Sequence, residues 1–364
     1  MKHINFSNLS WQFAQISEDC LPEIIQILAS GNYVQGKFVE RFEAEFSIFS
    51  ESKYAIAVNS GTSAIHAALC ALDIGIGDEV IVPSHTFIAT ATAVTMAGAT
   101  PILVDVDKNG LIDEQSVLNS IGPQTKAVIP VHLYGSAVDE RILDEFAKHL
   151  LVIEDSSQAH GARFESGKAV GSKSKINCYS LYPGKNLGAA GEAGICTTDE
   201  PALAERLKSF RNWGSKIKYY HEEYGVNYRM DEIQASVLYW KLLKLNQWTK
   251  QRIEIASQYR ETLEDIDVNC VNSKVGYPVY HQFVINHYDR DMLQVYLKNN
   301  GVDTQIHYPV AIHQQLALKD KQKANFYLGN TELLVKNILS LPIYPGLTQE
   351  EVFKVTKLLR DYNA

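Results

Sequence analysis

Cysteine is scarce in this sequence, and its few copies lack the spacing that would tie them together. Five cysteines are spread over 364 residues, and none belongs to a Cys-x-x-Cys pair. An odd, scattered set argues against a disulfide framework and against a zinc site. We therefore interpret all five as small apolar residues of a core: Cys20, Cys70, Cys178, Cys196 and Cys270.

Long apolar runs and blocks of positive charge are also missing. No apolar stretch reaches the roughly 20 residues that span a membrane, and the first residues lack a basic segment leading into an apolar one. We therefore expect a cytoplasmic protein without a membrane partner. The net charge of −8 and the absence of a Lys/Arg cluster argue against nucleic acid as a partner.

The length and composition indicate a folded chain with more than one core. A chain of 364 residues is longer than a domain with one ordinary core. With 46% hydrophobic and 21% charged residues, it has enough apolar side chains to form a large buried core. We predict a large domain over residues 1–245 and a small C-terminal domain over residues 246–364.

Short apolar segments alternate with helical patterns through the first half of the chain. Such near-continuous apolar strands, separated by helices, are typical of a mostly parallel sheet covered on both faces, which is an α/β architecture. Two helices, Ser17–Ser30 and Val39–Phe49, precede them. The predicted strands are Tyr54–Asn59, Glu79–Pro83, Thr100–Asp105, Ala127–His132 and Leu151–Asp155.

The pattern changes in the second half. Strands at Ile176–Leu181 and Ala193–Thr198 flank a glycine-rich turn, and a long helical tract, Met230–Arg260, is predicted to bridge the two domains. Residues 211–229 show little periodicity, and a loop that long is usually functional. A small α+β domain follows, with predicted elements at Tyr280–Ile285, Arg290–Asn299, Thr304–Tyr308 and Gln349–Asp361.

Lys185 is the strongest candidate for chemistry. It follows a Tyr-Pro-Gly turn and precedes a run of glycine and alanine, so its amine can be held in place and partly desolvated. Desolvation lowers the pKa of a lysine and frees the amine to attack a carbonyl carbon, as a Schiff-base lysine does. The alternative is an ordinary solvated loop lysine.

Other candidate groups follow strand ends, where ligands bind in open α/β sheets. Asp155 closes a strand and either caps the next turn, keeps a pyridine nitrogen protonated, or does both. Ser60-Gly61-Thr62-Ser63 opens a helix and is either a phosphate cradle or a plain N-cap. Ser180 could add a hydroxyl to the same phosphate site, and Phe87 could stack its ring on a flat cofactor. We predict no metal site from His85, His132 and His160.

As a set, these segments resemble the fold-type-I pyridoxal-phosphate enzymes, and among them the DegT/StrS-like nucleotide-sugar aminotransferases, along nearly the whole chain. The resemblance implies a fold with a large, mostly parallel αβα sandwich domain and a small α+β C-terminal domain. It is carried by the segments Asn59-Ser-Gly-Thr-Ser-Ala-Ile, Pro83-Ser-His-Thr-Phe-Ile-Ala-Thr, Glu154-Asp-Ser-Ser-Gln-Ala-His-Gly, Ser180-Leu-Tyr-Pro-Gly-Lys-Asn-Leu-Gly, Asn227-Tyr-Arg-Met-Asp-Glu-Ile-Gln-Ala and His307-Tyr-Pro.

The resemblance assigns roles residue by residue. It implies that Lys185 forms the Schiff base with pyridoxal 5'-phosphate and that Asp155 is the partner of the pyridine nitrogen. It also implies that Asn227 reaches the phosphate of the neighbouring subunit, hence a homodimer with shared active sites. The other implied cofactor contacts are Gly61, Thr62 and Ser180 for the phosphate, Phe87 for ring stacking, and Gln158 for the ring hydroxyl.

The resemblance also points to a reaction. One subfamily carries histidine in place of the lysine and dehydrates its substrate, whereas this chain keeps Lys185, so transamination with glutamate is expected. The segment Tyr182–Gly188 is similar to that of enzymes that aminate carbon 3 of a dTDP-linked 3-keto-6-deoxy sugar. Amination at carbon 4, amination of a cyclitol, or a regulatory protein that keeps the fold are the alternatives.

The substrate contacts are expected in the second half of the chain. The segment His307–His313 resembles the family's His-Tyr-Pro-x-Pro-x-His stretch near the substrate, with Ala311 where proline is usual. The candidate residues for the sugar and the nucleotide are Tyr182, Tyr219, Tyr220, Arg229, His307 and Tyr308.

Overall fold

The computed structural model describes residues 3–264, 266, 268–324 and 327–363. Within them the α-helices are α1 (Leu9–Ala14), α2 (Ser17–Ser30), α3 (Lys37–Phe49), α4 (Gly61–Ala71), α5 (Ala89–Met96), α6 (Glu114–Leu118), α7 (Glu140–Phe146), α8 (Pro201–Phe210), α9 (Glu232–Leu263), α10 (Arg290–Asn299), α11 (Gly329–Asn337) and α12 (Gln349–Asn363). The strands are β1 (Tyr54–Val58), β2 (Glu79–Pro83), β3 (Thr100–Val104), β4 (Thr125–Val128), β5 (Leu151–Asp155), β6 (Ile176–Ser180), β7 (Gly194–Thr198), β8 (Asn269–Cys270), β9 (Phe283–Asn286), β10 (Lys323–Ala324) and β11 (Ile338–Leu341).

Eight of these strands form one central sheet in the order β1-β7-β6-β5-β4-β2-β3-β10. Only the pairings of β7 with β1 and with β6 are antiparallel, and the rest are parallel. Helices cover both faces of this sheet, so its strands are buried along nearly their whole length, apart from the two exposed residues of β10. The predicted α/β fold with a mostly parallel sheet is confirmed.

The order of the sheet places the candidate residues at one edge. The parallel strands β2, β5 and β6 all run in the same direction, so their carboxyl ends meet there. Asp155 is the last residue of β5 and Ser180 the last of β6, while the segment with Phe87 follows β2. This is the edge at which open α/β sheets bind ligands.

A second core lies in the C-terminal part of the chain. A three-stranded sheet in the order β11-β9-β8 packs with α10 and α12 around buried side chains such as Phe283 and Leu339. The N-terminal residue Ile4 also packs into this core. Helix α9 contributes Leu238 to the large core and Ile255 to the second one, so it bridges them as predicted. The predicted domain boundary between residues 245 and 246 stays a prediction.

Two predicted strands have other bounds in the structure, and the one predicted at Tyr280–Ile285 is β9, which begins only at Phe283. The strand predicted at Ala127–His132 is instead β4, which begins at Thr125 and ends at Val128, because Pro130 has no N–H group to extend the ladder. The predicted element Thr304–Tyr308 forms no helix or strand, and only Gln305 pairs there, in a single bridge to Ser340. Within the described part of the chain, no helix combines the length and apolar character needed to cross a bilayer.

Candidate active site

The segment that carries Lys185 is a tight turn between β6 and β7. The backbone N–H of Lys185 donates to the carbonyl of Tyr182 at 2.9 Å, and that of Ala189 donates to Leu181 at 2.8 Å. A Cβ atom at Gly188 would stand 2.3 Å from the carbonyl oxygen of Pro183, so only glycine allows the turn to close. The turn therefore fixes where the lysine side chain begins.

The amine of Lys185 lies in an environment that favours its neutral form. Burial lowers its pKa from 10.5 to about 8, and the nearby carboxylate of Asp155 opposes part of that shift. Three histidines also interact with Lys185, and their pKa values are lowered by burial first and then by the lysine charge: His160 to about 3, His281 well below its usual range, and His307 to about 4.

Asp155 is buried and held from two sides. Its Oδ2 accepts a hydrogen bond from the hydroxyl of Thr90 at 3.1 Å, and its Oδ1 accepts one from the backbone N–H of Ser157 at 3.1 Å. It therefore caps the turn after β5, as one alternative expected, and also stands near Lys185. The sequence did not single out Thr90, whose hydroxyl lies on α5 and had no distinguishing pattern.

The N-terminus of α4 lies directly against the end of β6. Ser60 caps the helix by accepting from the N–H of Ser63 at 3.0 Å, so the helix begins at Gly61. A Cβ atom at Gly61 would stand 2.5 Å from the Cβ of Ser180. Gly61, Thr62 and Ser180 thus come together at a helix N-terminus, which favours a phosphate group through its N–H groups and dipole.

These features fit a cofactor that carries a phosphate and an aldehyde on a pyridine ring. The α4 terminus supplies phosphate donors in a cradle that any side chain at Gly61 would fill. Lys185 supplies the amine and Asp155 a buried acid at the neighbouring strand end. No group of three or more His, Cys, Asp or Glu side chains that could hold a metal ion is present among the residues that the structure describes.

A hydrogen-bond network joins this edge to the C-terminal segment His307–Tyr308. Gln158 accepts from the backbone N–H of Tyr134 at 2.7 Å and donates to the hydroxyl of Tyr308 at 3.1 Å. The hydroxyl of Tyr134 donates to the carbonyl of His307. The ring of Phe87, which is 54% exposed, lies 5.7 Å from that of Tyr308. The structure thus brings Phe87, Gln158, His307 and Tyr308 together.

Asn227 and Arg229 line a cavity of about 500 Å³ beside the α4 cradle. The Nε of Arg229 donates to the carboxamide oxygen of Asn227 at 3.1 Å. The same cavity is lined by Asn59, Ser60 and Ser63, which belong to the loop before α4 and to its first turn. Asn227 is exposed, so its NH2 group is available to a group outside this chain.

The three remaining candidates are exposed tyrosines. Tyr182 lies on the Lys185 turn and is 53% exposed. Tyr219 and Tyr220, 80% and 69% exposed, lie in the irregular segment after α8, where the contacts described for them are with close neighbours such as Ile217 and Lys218. The structure does not bring these two tyrosines to Lys185 within one chain.

His281 was not among the residues predicted from the sequence. It is buried, and its Nδ1–H donates to the carboxamide oxygen of Asn186, the residue after Lys185, at 3.2 Å. Asn186 also donates to the carbonyl of Val279 at 3.1 Å. A histidine at the start of a C-terminal strand carries no local signal for this contact.

A lysine amine, a strand-end acid and a phosphate cradle at one sheet edge are the features of a pyridoxal-phosphate-dependent transaminase. Over residues 14–360 the chain matches the DegT/DnrJ/EryC1/StrS aminotransferase family, and it belongs to that family. It is accordingly a nucleotide-sugar aminotransferase whose cofactor is pyridoxal phosphate.

Three relatives show how far the similarity extends. The chain is 40% identical to the dTDP-3-amino-3,4,6-trideoxy-alpha-D-glucose transaminase of Streptomyces venezuelae, over 99% of this chain and 96% of that one. It is 39% identical to the UDP-N-acetyl-3-dehydro-alpha-D-glucosamine 3-aminotransferase of Acidithiobacillus ferrooxidans, over 97% and 96%. The crystal structure of S. venezuelae DesV with a ketimine intermediate has a TM-score of 0.96 and 38% identity, covering 100% of this chain and 99% of that chain.

Proposed function

We propose that the chain transfers the amino group of glutamate to carbon 3 of a dTDP-linked 3-keto-6-deoxyhexose, releasing the 3-amino sugar and 2-oxoglutarate. The observation that carries the proposal is the amine of Lys185, which burial brings to a pKa of about 8 beside the buried acid Asp155 and the α4 phosphate cradle.

Pyridoxal phosphate supplies an electron-withdrawing ring that stabilises negative charge on the carbon undergoing proton transfer. In our proposal Asp155 keeps the pyridine nitrogen protonated, and Thr90 and Ser157 hold that carboxylate in place. Gly61, Thr62 and Ser180 would bind the phosphate, Phe87 would stack on the ring, and Gln158 would contact the ring hydroxyl. The orientation of the Gln158 carboxamide is fixed, because its oxygen accepts a hydrogen bond from Tyr134 and its nitrogen donates one to Tyr308.

Lys185 moves the proton. Its neutral amine takes the α-proton of glutamate and later returns a proton to carbon 3 of the sugar, as a general base and then a general acid. A pKa of about 8 is close to neutral pH and suits both steps. The neighbouring histidines are neutral at that pH, because burial holds their pKa values below the usual range, so they add no competing positive charge.

The sugar and the nucleotide are proposed to contact residues around the mouth of this site. His307 and Tyr308 face it from the C-terminal segment and can bind the sugar. Tyr182, Tyr219 and Tyr220 offer exposed rings, which suit the flat base of a nucleotide. Arg229 offers a cation for the diphosphate.

The proposal includes a homodimer in which two chains complete each site. Arg229 holds the carboxamide oxygen of Asn227, so the NH2 end of Asn227 is the group that can donate to a phosphate in the neighbouring subunit. The two tyrosines that lie away from Lys185 within one chain, Tyr219 and Tyr220, would then serve the partner's site.

Carbon 3 is favoured by the S. venezuelae relative, which is a dTDP-3-amino sugar transaminase, and by the resemblance of Tyr182–Gly188 to enzymes that aminate carbon 3. The A. ferrooxidans relative also aminates carbon 3, by its name, but on a UDP sugar. A UDP-linked 3-keto sugar is therefore the second candidate substrate, and amination at carbon 4 is the third.

Product analysis tests this proposal. The purified protein is loaded with pyridoxal phosphate and supplied with glutamate and a panel of dTDP- and UDP-linked 3-keto and 4-keto sugars, and the aminated carbon is located by NMR. We expect an amine at carbon 3 of the dTDP sugar. Lys185→Ala should abolish turnover, whereas Lys208→Ala, at an exposed lysine of α8, should not. Turnover by Lys185→Ala would refute the proposal.

A further inference from the structure

Lys241 is a buried lysine that none of the roles above uses. It lies on α9 with 6% of its surface exposed. Its Nζ donates to the carbonyl of Gly188 at 2.7 Å and to the carboxamide oxygen of Gln12, on α1, at 3.3 Å. Gly188 closes the turn that carries Lys185, so this lysine contacts the catalytic turn from behind.

The hydrogen bonds described for the side chain of Lys241 go to neutral acceptors. Glu23, an acid that interacts with the neighbouring thiol of Cys20, accepts hydrogen bonds from Arg41 and from the hydroxyl of Ser236. The salt bridges found within the described ranges do not include Lys241. Burial lowers its pKa to about 8, with the Cys20 thiol opposing the shift. An amine is costly to bury in this way, and a methionine would fill the same space without that cost.

The two ends of the Lys185 turn are held by different parts of the chain. Asn186, directly after the lysine, is bonded to Val279 and His281 of the C-terminal half. The carbonyl of Gly188 accepts a hydrogen bond from Lys241 of α9, and any side chain at Gly188 would collide with the carbonyl of Pro183. Loss of either contact would let the turn move relative to Asp155.

We propose that Lys241 is a positioning residue, whose buried side chain holds the carbonyl of Gly188 and thereby fixes the Lys185 amine in its desolvated place beside Asp155. The inference rests on the proposed role of Lys185. It assigns to α9, which otherwise bridges the two cores, a direct part in shaping the site. Lys241 does not touch the reacting atoms, so its effect must appear in the properties of Lys185.

The test measures the pKa of Lys185 directly, without the cofactor. The apo protein is labelled with trace acetic anhydride over a range of pH, and peptide mass spectrometry gives the labelling midpoint of Lys185. Lys241→Met removes the donor, Lys241→Arg restores one, and Lys250→Met is the control at an exposed lysine of the same helix. Steady-state kcat and KM and the thermal midpoint are measured for each variant.

For Lys241→Met we expect the Lys185 midpoint to rise by about one pH unit, since a looser turn hydrates the amine. We also expect kcat to fall about tenfold while KM changes less than about twofold, because the displaced amine affects the chemical step and not binding. Lys241→Arg should recover most of both changes, and Lys250→Met should show neither.

A lower thermal midpoint with an unchanged Lys185 midpoint would mean a structural role only and would overturn the inference. If Lys241→Met does not fold, Lys241→Gln decides, because it removes the ammonium donor to the carbonyl of Gly188 and leaves a polar group in the same buried place. A raised Lys185 midpoint in that variant supports positioning, and an unchanged one overturns it. Failure of the proposed function is seen separately, as turnover by Lys185→Ala.

Discussion

Asp155 shows how a single side chain can serve both the fold and the site. Its two carboxylate oxygens accept hydrogen bonds from the backbone N–H of Ser157 and the hydroxyl of Thr90, and the residue is buried. A carboxylate so held would pair with a positively charged ring, and an amide in the same place would lack that electrostatic attraction. The role of Asp155 as the partner of the pyridine nitrogen is therefore testable by an isosteric change.

Asp155→Asn should lower kcat by on the order of a hundredfold or more, the scale on which positioned charge contributes to catalysis. Thr90→Val removes one of the hydrogen bonds to the same carboxylate and should lower kcat by less than about tenfold. Cofactor content, measured by absorbance of the protein after gel filtration, should remain near wild type in both. Equal effects of the two substitutions would contradict a special role for the charge.

The lowered pKa of Lys185 predicts how the apo protein takes up its cofactor. Only the neutral amine attacks an aldehyde, so capture should speed up with pH and level off above about 8, where the amine is already neutral. An ordinary lysine would keep gaining about tenfold per unit up to about 10.4. The measurement is the rate at which borohydride-trapped cofactor appears on the Lys185 peptide. A rate still rising steeply at pH 9.5 would show that the amine is not desolvated.

At the scale of elements, the N-terminus of α4 depends on one glycine. A Cβ at Gly61 would meet the Cβ of Ser180 at 2.5 Å, so the helix start and the end of β6 cannot both keep their places with any larger residue. Gly75 is a useful comparison, because its backbone is not in the left-handed region. A Cβ atom added there would lie 3.5 Å from its nearest neighbour, which is an ordinary contact.

Gly61→Ala should therefore weaken cofactor binding by about tenfold or more, because the phosphate donors of the cradle are displaced. Gly75→Ala should bind normally. Titration of each apo protein with pyridoxal phosphate gives the dissociation constants, and circular dichroism confirms that both variants keep their helices. Normal affinity in Gly61→Ala would mean that the phosphate does not sit against this helix terminus.

The elements with strong local signals could be predicted, and those that depend on distant partners could not. The apolar strands of the central sheet follow from their buried runs, and the boundary at Pro130 follows once its missing N–H group is weighed. The short strand β10 was missed because its two residues are exposed and pair with β3 from far along the chain. Strand β11, which pairs with β9, was also missed, although all four of its residues are buried.

At the scale of the whole molecule, the sequence predicted which strand ends face the site but not what joins them. Asp155 and Ser180 are neighbours because parallel strands share an edge, which follows from the pattern alone. The contacts of Tyr134 with Gln158 and His307, and of His281 with Asn186, connect residues that lie 24 to 173 positions apart. Such pairs depend on how the C-terminal core packs on the sheet, which local pattern does not encode.

The proposed sharing of active sites between two chains can be tested by mixing inactive variants. Lys185→Ala lacks the amine, and Asn227→Asp places a negative charge where the proposed dimer brings the partner's phosphate, so each alone should be inactive. If Asn227 acts in the partner's site, a mixed dimer has one site with both defects and one that is intact. If it acts in its own chain's site, every site carries a defect.

Co-expression of the two variants at equal levels should therefore restore about a quarter of wild-type turnover, since half of randomly paired dimers are mixed and each has one intact site. Mixed dimers are isolated with two different affinity tags, and their kcat is compared with that of wild-type protein purified in the same way. Co-expression of Lys185→Ala with Asp155→Asn is the control. Both residues lie in the site of one chain, so every site of a mixed dimer carries one defect. Inactive mixed dimers of the first pair would place Asn227 in its own chain's site and remove the reason for a shared one.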